Sequence, residues 1–105
     1  MTVKLGAPFD AAKYIRTPED RAELLEDAFS SGDGAYIKHA IGIAARSQGG
    51  IAKLAERTGL GRQALHKALG ENGNPTLDTL IRVTGALGAR LSIIPASEAR
   101  EPAAV

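Results

Sequence analysis

The 105-residue chain contains no cysteine, few aromatic side chains and no long apolar run. Without cysteine there can be no disulfides, thiolate zinc sites, iron–sulfur clusters or cysteine nucleophile. Aromatic residues make up only 4% of the chain, so Leu, Ile and Ala must form the core, which favours closely packed helices. No segment approaches the roughly 20 apolar residues of a membrane span, and Asp10 and Lys13 interrupt any signal-peptide pattern. We therefore expect a cytoplasmic protein with no membrane partner.

The composition and charge are those of one small globular domain with two different surfaces. Hydrophobic residues make up 44% and charged residues 24%, so the chain is not of the disordered class. Residues 1–34 carry four basic and seven acidic side chains, whereas residues 35–95 carry eight basic and three acidic ones. The acidic part is suited to a basic protein and the basic part to nucleic acid, although uneven charge of this size also arises by chance.

The apolar spacing predicts five helices preceded by a short helical turn. Four side chains are placed to cap helix N-termini: Asp10, Thr17, Asp33 and Thr76. The first full helix carries Pro18 in its first turn. Two short helices are expected later, one at about 51–58 and a second that follows a turn and ends at about Leu69. The last helix has one predicted buried stripe, which consists of Leu77, Leu80, Ile81, Thr84 and Leu87.

Near the C-terminus the spacing of apolar residues changes from that of a helix to that of a strand. Apolar and polar residues alternate over 89–94 and predict one short β-strand that Pro95 ends. A single strand needs a partner, and we expect it to pair with a second copy in a homodimer, with the N-terminal segment or with another protein. The predicted fold class is all-α with an N-terminal helical extension and this one strand. Residues 1–9 are expected to be a flexible lead-in, residues 10–95 a single domain and residues 96–105 a disordered tail.

Residues 51–69 have the spacing of a helix-turn-helix. Ala55 is small where the two helix axes would cross, and Gly59 can adopt the positive φ angle that a tight turn requires. The residues expected to hold the unit together are Leu54, Ala55, Gly59, Leu60, Leu65 and Ala68. The second helix would then be available to a DNA major groove.

Removing the buried positions leaves a polar outer face on the second helix. The candidate DNA-binding residues are Gly61, Arg62, Gln63, His66 and Lys67, with Lys53 on the preceding helix facing the phosphate backbone. Gln can bond adenine and Arg can bond guanine through two hydrogen bonds each. The alternative interpretation is a solvated helix face without function.

No enzyme, cofactor or metal site is predicted. Gly59-x-Gly61-x-x-Ala64 resembles a dinucleotide-binding loop, but a helix rather than a strand precedes it. His39 and His66 lie far apart in the sequence without an accompanying pattern of Asp or Glu, and no serine lies in a nucleophile elbow.

Five motifs are spread along nearly the whole predicted domain: Pro8-Phe9-Asp10-Ala-Ala-Lys-Tyr14-Ile15, Thr17-Pro18-Glu19-Asp20, Leu54-Ala55-x-x-Thr58-Gly59-Leu60-x-Arg62-x-x-Leu65-x-Lys67-Ala68-Leu69, Gly73-Asn74-Pro75 and Ala86-Leu87-Gly88-x-Arg90-Leu91. Together they resemble the addiction-module antidote proteins, antitoxins similar to HigA with a lambda-repressor-like helix-turn-helix. The resemblance implies an antitoxin that binds a basic toxin of the RelE/HigB type and represses its own operon by binding operator DNA. The chain departs from its relatives at Gly61, where most have Ser, and at His66, where many have Tyr.

Two other functions remain open at this point. The chain could be a toxin-binding module that keeps the helix-turn-helix only as a scaffold. It could also be a stand-alone transcriptional repressor, although 105 residues leave no room for an effector domain.

Overall fold

The computed structural model describes residues 10–96, so the predicted lead-in at 1–9 and residues 97–105 of the predicted tail lie outside the described residues. A 3-10 helix at Ala11–Tyr14 precedes α1 (Pro18–Ser31), α2 (Gly34–Arg46), α3 (Gly50–Thr58), α4 (Arg62–Ala68) and α5 (Leu77–Ala86). The all-α class is confirmed within this range. None of the described helices is long and apolar enough to cross a membrane.

The helices begin where the sequence places capping side chains. Asp10 accepts from the Ala12 N–H, Asp33 from the N–H groups at the start of α2, and Thr76 from the Thr79 N–H. Thr17 and Asp20 form a capping box, in which each side chain accepts a hydrogen bond from the backbone at the other residue. The four predicted N-caps are confirmed.

The core is built around α2, whose inner face is lined by small and branched side chains. Ala40, Ile41 and Ala44 are fully buried there, and the small alanines allow neighbouring helices to approach closely. Helix α1 packs on α2 through Leu25 and Ala28. Ala45 of α2 also belongs to this core, and its remaining buried members come from later elements: Leu54, Leu65, Val83 and Leu87.

The first and last helices are joined by a buried arginine. The Arg21 Nε–H of α1 donates to the Leu87 carbonyl oxygen just beyond α5, at 3.3 Å. Arg21 is 8% exposed. A cation is favoured at the C-terminal end of a helix, where carbonyl groups lack intrahelical partners.

The predicted strand at 89–94 is wrong: no strand occurs anywhere in residues 10–96. The alternation of Leu91 and Ile93 suggested one buried face, yet Ile93 is 96% exposed and Leu91 only partly buried. A strand is stable only when a neighbour accepts and donates its backbone hydrogen bonds, and no extended segment in the described range lies alongside to do so.

The predicted stripe of α5 is correct only in part. Thr84 and Leu87 are buried and Leu80 is partly buried, but Leu77 is 68% and Ile81 53% exposed. Val83 replaces them in the core. The face of α5 that packs on the core is therefore rotated relative to the predicted stripe, so that Leu77 and Ile81 lie outside it.

Candidate nucleic-acid interface

Helices α3 and α4 are joined by a three-residue turn, Gly59–Gly61. Gly59 ends α3 in the left-handed conformation, at φ 76°, and its N–H donates to the Ala55 carbonyl oxygen. Gly61 is the N-cap of α4 with extended backbone, and it provides no side-chain cap. The chain thus reverses its course at the glycine where the sequence required a positive φ angle.

Side chains from α3 and α5 hold the turn. The Thr58 hydroxyl donates to the Leu54 carbonyl oxygen at 2.8 Å and accepts from the Leu60 N–H at 3.2 Å. Arg82 of α5 donates to the Thr58 carbonyl oxygen at 3.4 Å and is paired with Asp78. These contacts fix the turn relative to α5.

The inner side of the α3–turn–α4 unit rests on two leucines. Leu54 and Leu65 are 2% and 1% exposed. Ala55, Leu60 and Ala68 are partly buried beside them. The leucines and alanines expected to hold the unit together are thus buried or partly buried, and Gly59, which was expected at the turn, is exposed.

The outer side of α4 is polar and free of internal contacts. The side chains of Arg62, Gln63, His66 and Lys67 are exposed, and none has a hydrogen bond or ion pair within residues 10–96. Ala64 is also exposed on this helix and was not among the sequence candidates. Its small side chain leaves the outer face open between its polar neighbours.

Lys53, by contrast, already has a partner. Its ammonium group lies 3.5 Å from the Glu56 carboxylate on the same face of α3. Because both side chains are exposed, the pair is weak and a phosphate could compete for the lysine. Lys53 is therefore not equivalent to the unpaired cations of α4.

The loop 70–75 between α4 and α5 is fastened to α2 by a residue that the sequence analysis missed. The Lys38 ammonium donates to the carbonyl oxygens of Glu71, at 3.1 Å, and Gly73, at 2.7 Å. No local pattern could reveal this contact, because its partners lie more than 30 residues further along the chain.

A second polar surface lies on α1. Glu19, Glu23 and Glu26 recur at helical spacing, are exposed, and have no ion pair within the described part of the chain. Two other acids of this helix have structural partners. Asp27 accepts from the Tyr36 hydroxyl, and Asp20 accepts from the N–H groups of Arg16 and Thr17, which lower the pKa of its carboxyl group.

Within residues 10–96, no group of three or more potential ligand side chains is placed to hold a metal ion.

The sequence matches the family described as "Probable addiction module antidote protein" over residues 6–95. An uncharacterized protein of Haemophilus influenzae is 29% identical over 85 residues, which cover 81% of this chain and 87% of that protein. No solved structure matches. The chain thus belongs to the addiction-module antidote family, as its motifs indicated. It is an antitoxin, and a toxin is the general class of its partner.

Proposed function

We propose that this antitoxin binds operator DNA through α3, the turn and α4, represses its own operon, and neutralises a basic toxin of the RelE/HigB type by direct contact in the cytoplasm. It does so without enzymatic activity. The observation that carries the DNA-binding part is the exposed, unpaired polar face of α4 behind a tight three-residue turn.

The chemistry of this face supports DNA reading. Gln63 and Arg62 lie in the first turn of α4, where a helix entering the major groove presents side chains to base edges. Lys67 lies one turn further along and is exposed, as are Lys53 and Gly61. An exposed lysine beside a helix that enters the groove can bind a phosphate.

The acidic face of α1 is the proposed toxin surface. The carboxylates of Glu19, Glu23 and Glu26 are available to a partner's lysines and arginines, because the chain itself does not neutralise them. Helix α1 contributes no candidate DNA residue. A toxin and DNA could therefore be bound by different helices.

We further propose a homodimer, so that two copies of α4 reach successive major grooves. The strand 89–94 cannot supply the interface. The exposed Leu77 and Ile81 lie one turn apart on α5 and are suited to a contact that excludes water. Analytical ultracentrifugation of Leu77→Asp against wild type tests this assignment, and an unchanged sedimentation coefficient would contradict it.

The DNA-binding part is tested by fluorescence anisotropy with duplex from upstream of the gene and with scrambled duplex, each at two salt concentrations. A specific regulator should prefer its own DNA by a factor of about 10³ or more. Equal, weak and steeply salt-dependent binding would leave a toxin-binding module without sequence-specific DNA binding.

Two variants separate the roles of the polar side chains. Gln63→Ala should weaken binding to operator DNA by about tenfold or more and leave scrambled DNA nearly unaffected. Lys67→Ala should weaken both similarly and reduce the salt slope by about one unit. Equal losses on both duplexes for Gln63→Ala would refute its base-reading role.

The toxin surface is tested with the product of the neighbouring reading frame. Glu23→Lys should reduce its affinity at low salt, whereas Glu56→Lys, a charge reversal outside α1, should have a much smaller effect. Similar losses for both variants would mean that only net charge matters, and no loss for Glu23→Lys would exclude this face.

A further inference from the structure

The contact between Lys38 and the loop 70–75 has no role in the function proposed so far. Lys38 lies in the middle of α2, partly buried, and its ammonium group bridges two carbonyl oxygens of a loop that is remote in sequence. Hydrogen bonds from a charged donor are about twice as strong as neutral ones. The contact is therefore a specific fastening of this loop to the core helix.

The loop in turn is packed directly against the end of α4. The Gly73 N–H donates to the Gly70 carbonyl oxygen, and the Gly70 N–H donates to that of Lys67. A Cβ atom on Gly73 would overlap the carbonyl oxygens of Lys67 and Ala68. Any displacement of Gly73 is thus transmitted to the last turn of α4.

Helix α4 has little else to set its orientation. It is seven residues long and packs mainly against α3, with Leu65 as its one fully buried side chain. At its C-terminal end only the partly buried Leu69 adds to this packing, so the tilt of the short helix is weakly determined by the core. The attachment of the following loop to Lys38 adds a further constraint at that end.

We infer that Lys38 is a positioning residue for DNA recognition: through the carbonyl groups of Glu71 and Gly73 it holds the C-terminal end of α4 and so sets the angle at which Arg62 and Gln63 meet the bases. The inference rests on the proposed DNA-binding function. Lys38 acts from within the protein and does not contact DNA.

The experiment compares Lys38→Met, Lys38→Arg and the control Lys13→Met with wild type. Lys13 is exposed and its side chain has no partner within residues 10–96, so both Met variants remove one positive charge. Amide hydrogen exchange of the free protein is measured by NMR. Affinity is measured for upstream and scrambled duplex.

In Lys38→Met, the amides of Leu69 and Gly73 should exchange about tenfold faster or more, while that of Ile41 in the core remains protected. Affinity for upstream DNA should fall by about tenfold, with scrambled DNA and its salt slope unchanged. Lys38→Arg, which keeps a charged donor, should recover most of both effects. Lys13→Met should show neither.

Unchanged exchange at Gly73 in Lys38→Met would overturn the inference. So would equal losses on both duplexes with a salt slope lower by about one unit, since that is the behaviour of a direct phosphate contact. If wild type itself shows no preference for upstream DNA, the proposed DNA-binding function is wrong, and with it the role of Lys38 in DNA recognition. The exchange data then still show whether Lys38 holds the end of α4.

Discussion

The replacement Leu65→Ala tests whether α4 is held by one buried side chain. Leu65 is 1% exposed and is the fully buried residue of this short helix. The change removes three carbon atoms, and at about 0.8 kcal/mol for each buried methylene the transfer term alone is about 2.4 kcal/mol. The cavity that remains should bring the loss of unfolding free energy to about 3–5 kcal/mol. That is a large part of the stability of a domain of this size.

Ile93→Ala provides the matched control, because it also removes three carbon atoms, at a residue that is 96% exposed and lies outside the proposed dimer contact. Almost none of this side chain is buried, so the loss should remain below about 1 kcal/mol. Urea unfolding followed by far-UV circular dichroism measures both variants, and equal slopes in urea would show that the denatured states are comparable. Similar losses for the two variants would refute the anchoring role of Leu65.

Three other changes follow from the helix geometry. Gly42 lies inside α2 with open space where a Cβ atom would stand. Gly42→Ala should therefore raise the unfolding free energy by about 0.5–1 kcal/mol and the melting temperature by a few degrees. A lower melting temperature would contradict this. Gly73→Ala should lower stability by about 1–3 kcal/mol in the same melting assay, because its Cβ atom would overlap backbone carbonyl groups, and a neutral result would contradict the tight loop packing. The pKa of Asp20 is lowered in the folded protein, because the N–H groups of Arg16 and Thr17 donate hydrogen bonds to its carboxylate. Its contribution to stability is therefore complete at neutral pH and is lost as the pH falls through that lowered pKa. Asp20→Asn should therefore make acid unfolding less steep than in wild type, and identical acid titrations by circular dichroism would contradict this.

The features predicted correctly from the sequence are those that neighbouring residues determine. Asp33 and Thr76 cap helices because each side chain reaches an N–H group two or three residues away. Gly59 allows the turn by its own φ angle. Such interactions are contained within a few residues, and a sequence pattern can therefore reveal them.

The errors and omissions concern contacts with distant parts of the chain. A strand at 89–94 requires a neighbour that the local alternation cannot supply. Ile81 has the helical spacing of a buried residue, but its burial depends on how α5 is rotated against the core. Lys38 could not be associated with α4, because the loop that joins them becomes its neighbour only in the folded protein.

If α4 reads DNA in a homodimer, as proposed above, its length limits how much DNA one copy can distinguish. Seven residues at 1.5 Å each form a helix about 10 Å long, which matches about three base pairs at 3.4 Å spacing. A three-base-pair word recurs by chance about once in 64 positions and two such words about once in 4,000, whereas a genome offers at least about 10⁶ competing sites. Even with the distance between the two words fixed, base contacts from two such copies would be too few to select one operator. The deformability of the DNA between the two words would then have to supply the remaining selectivity.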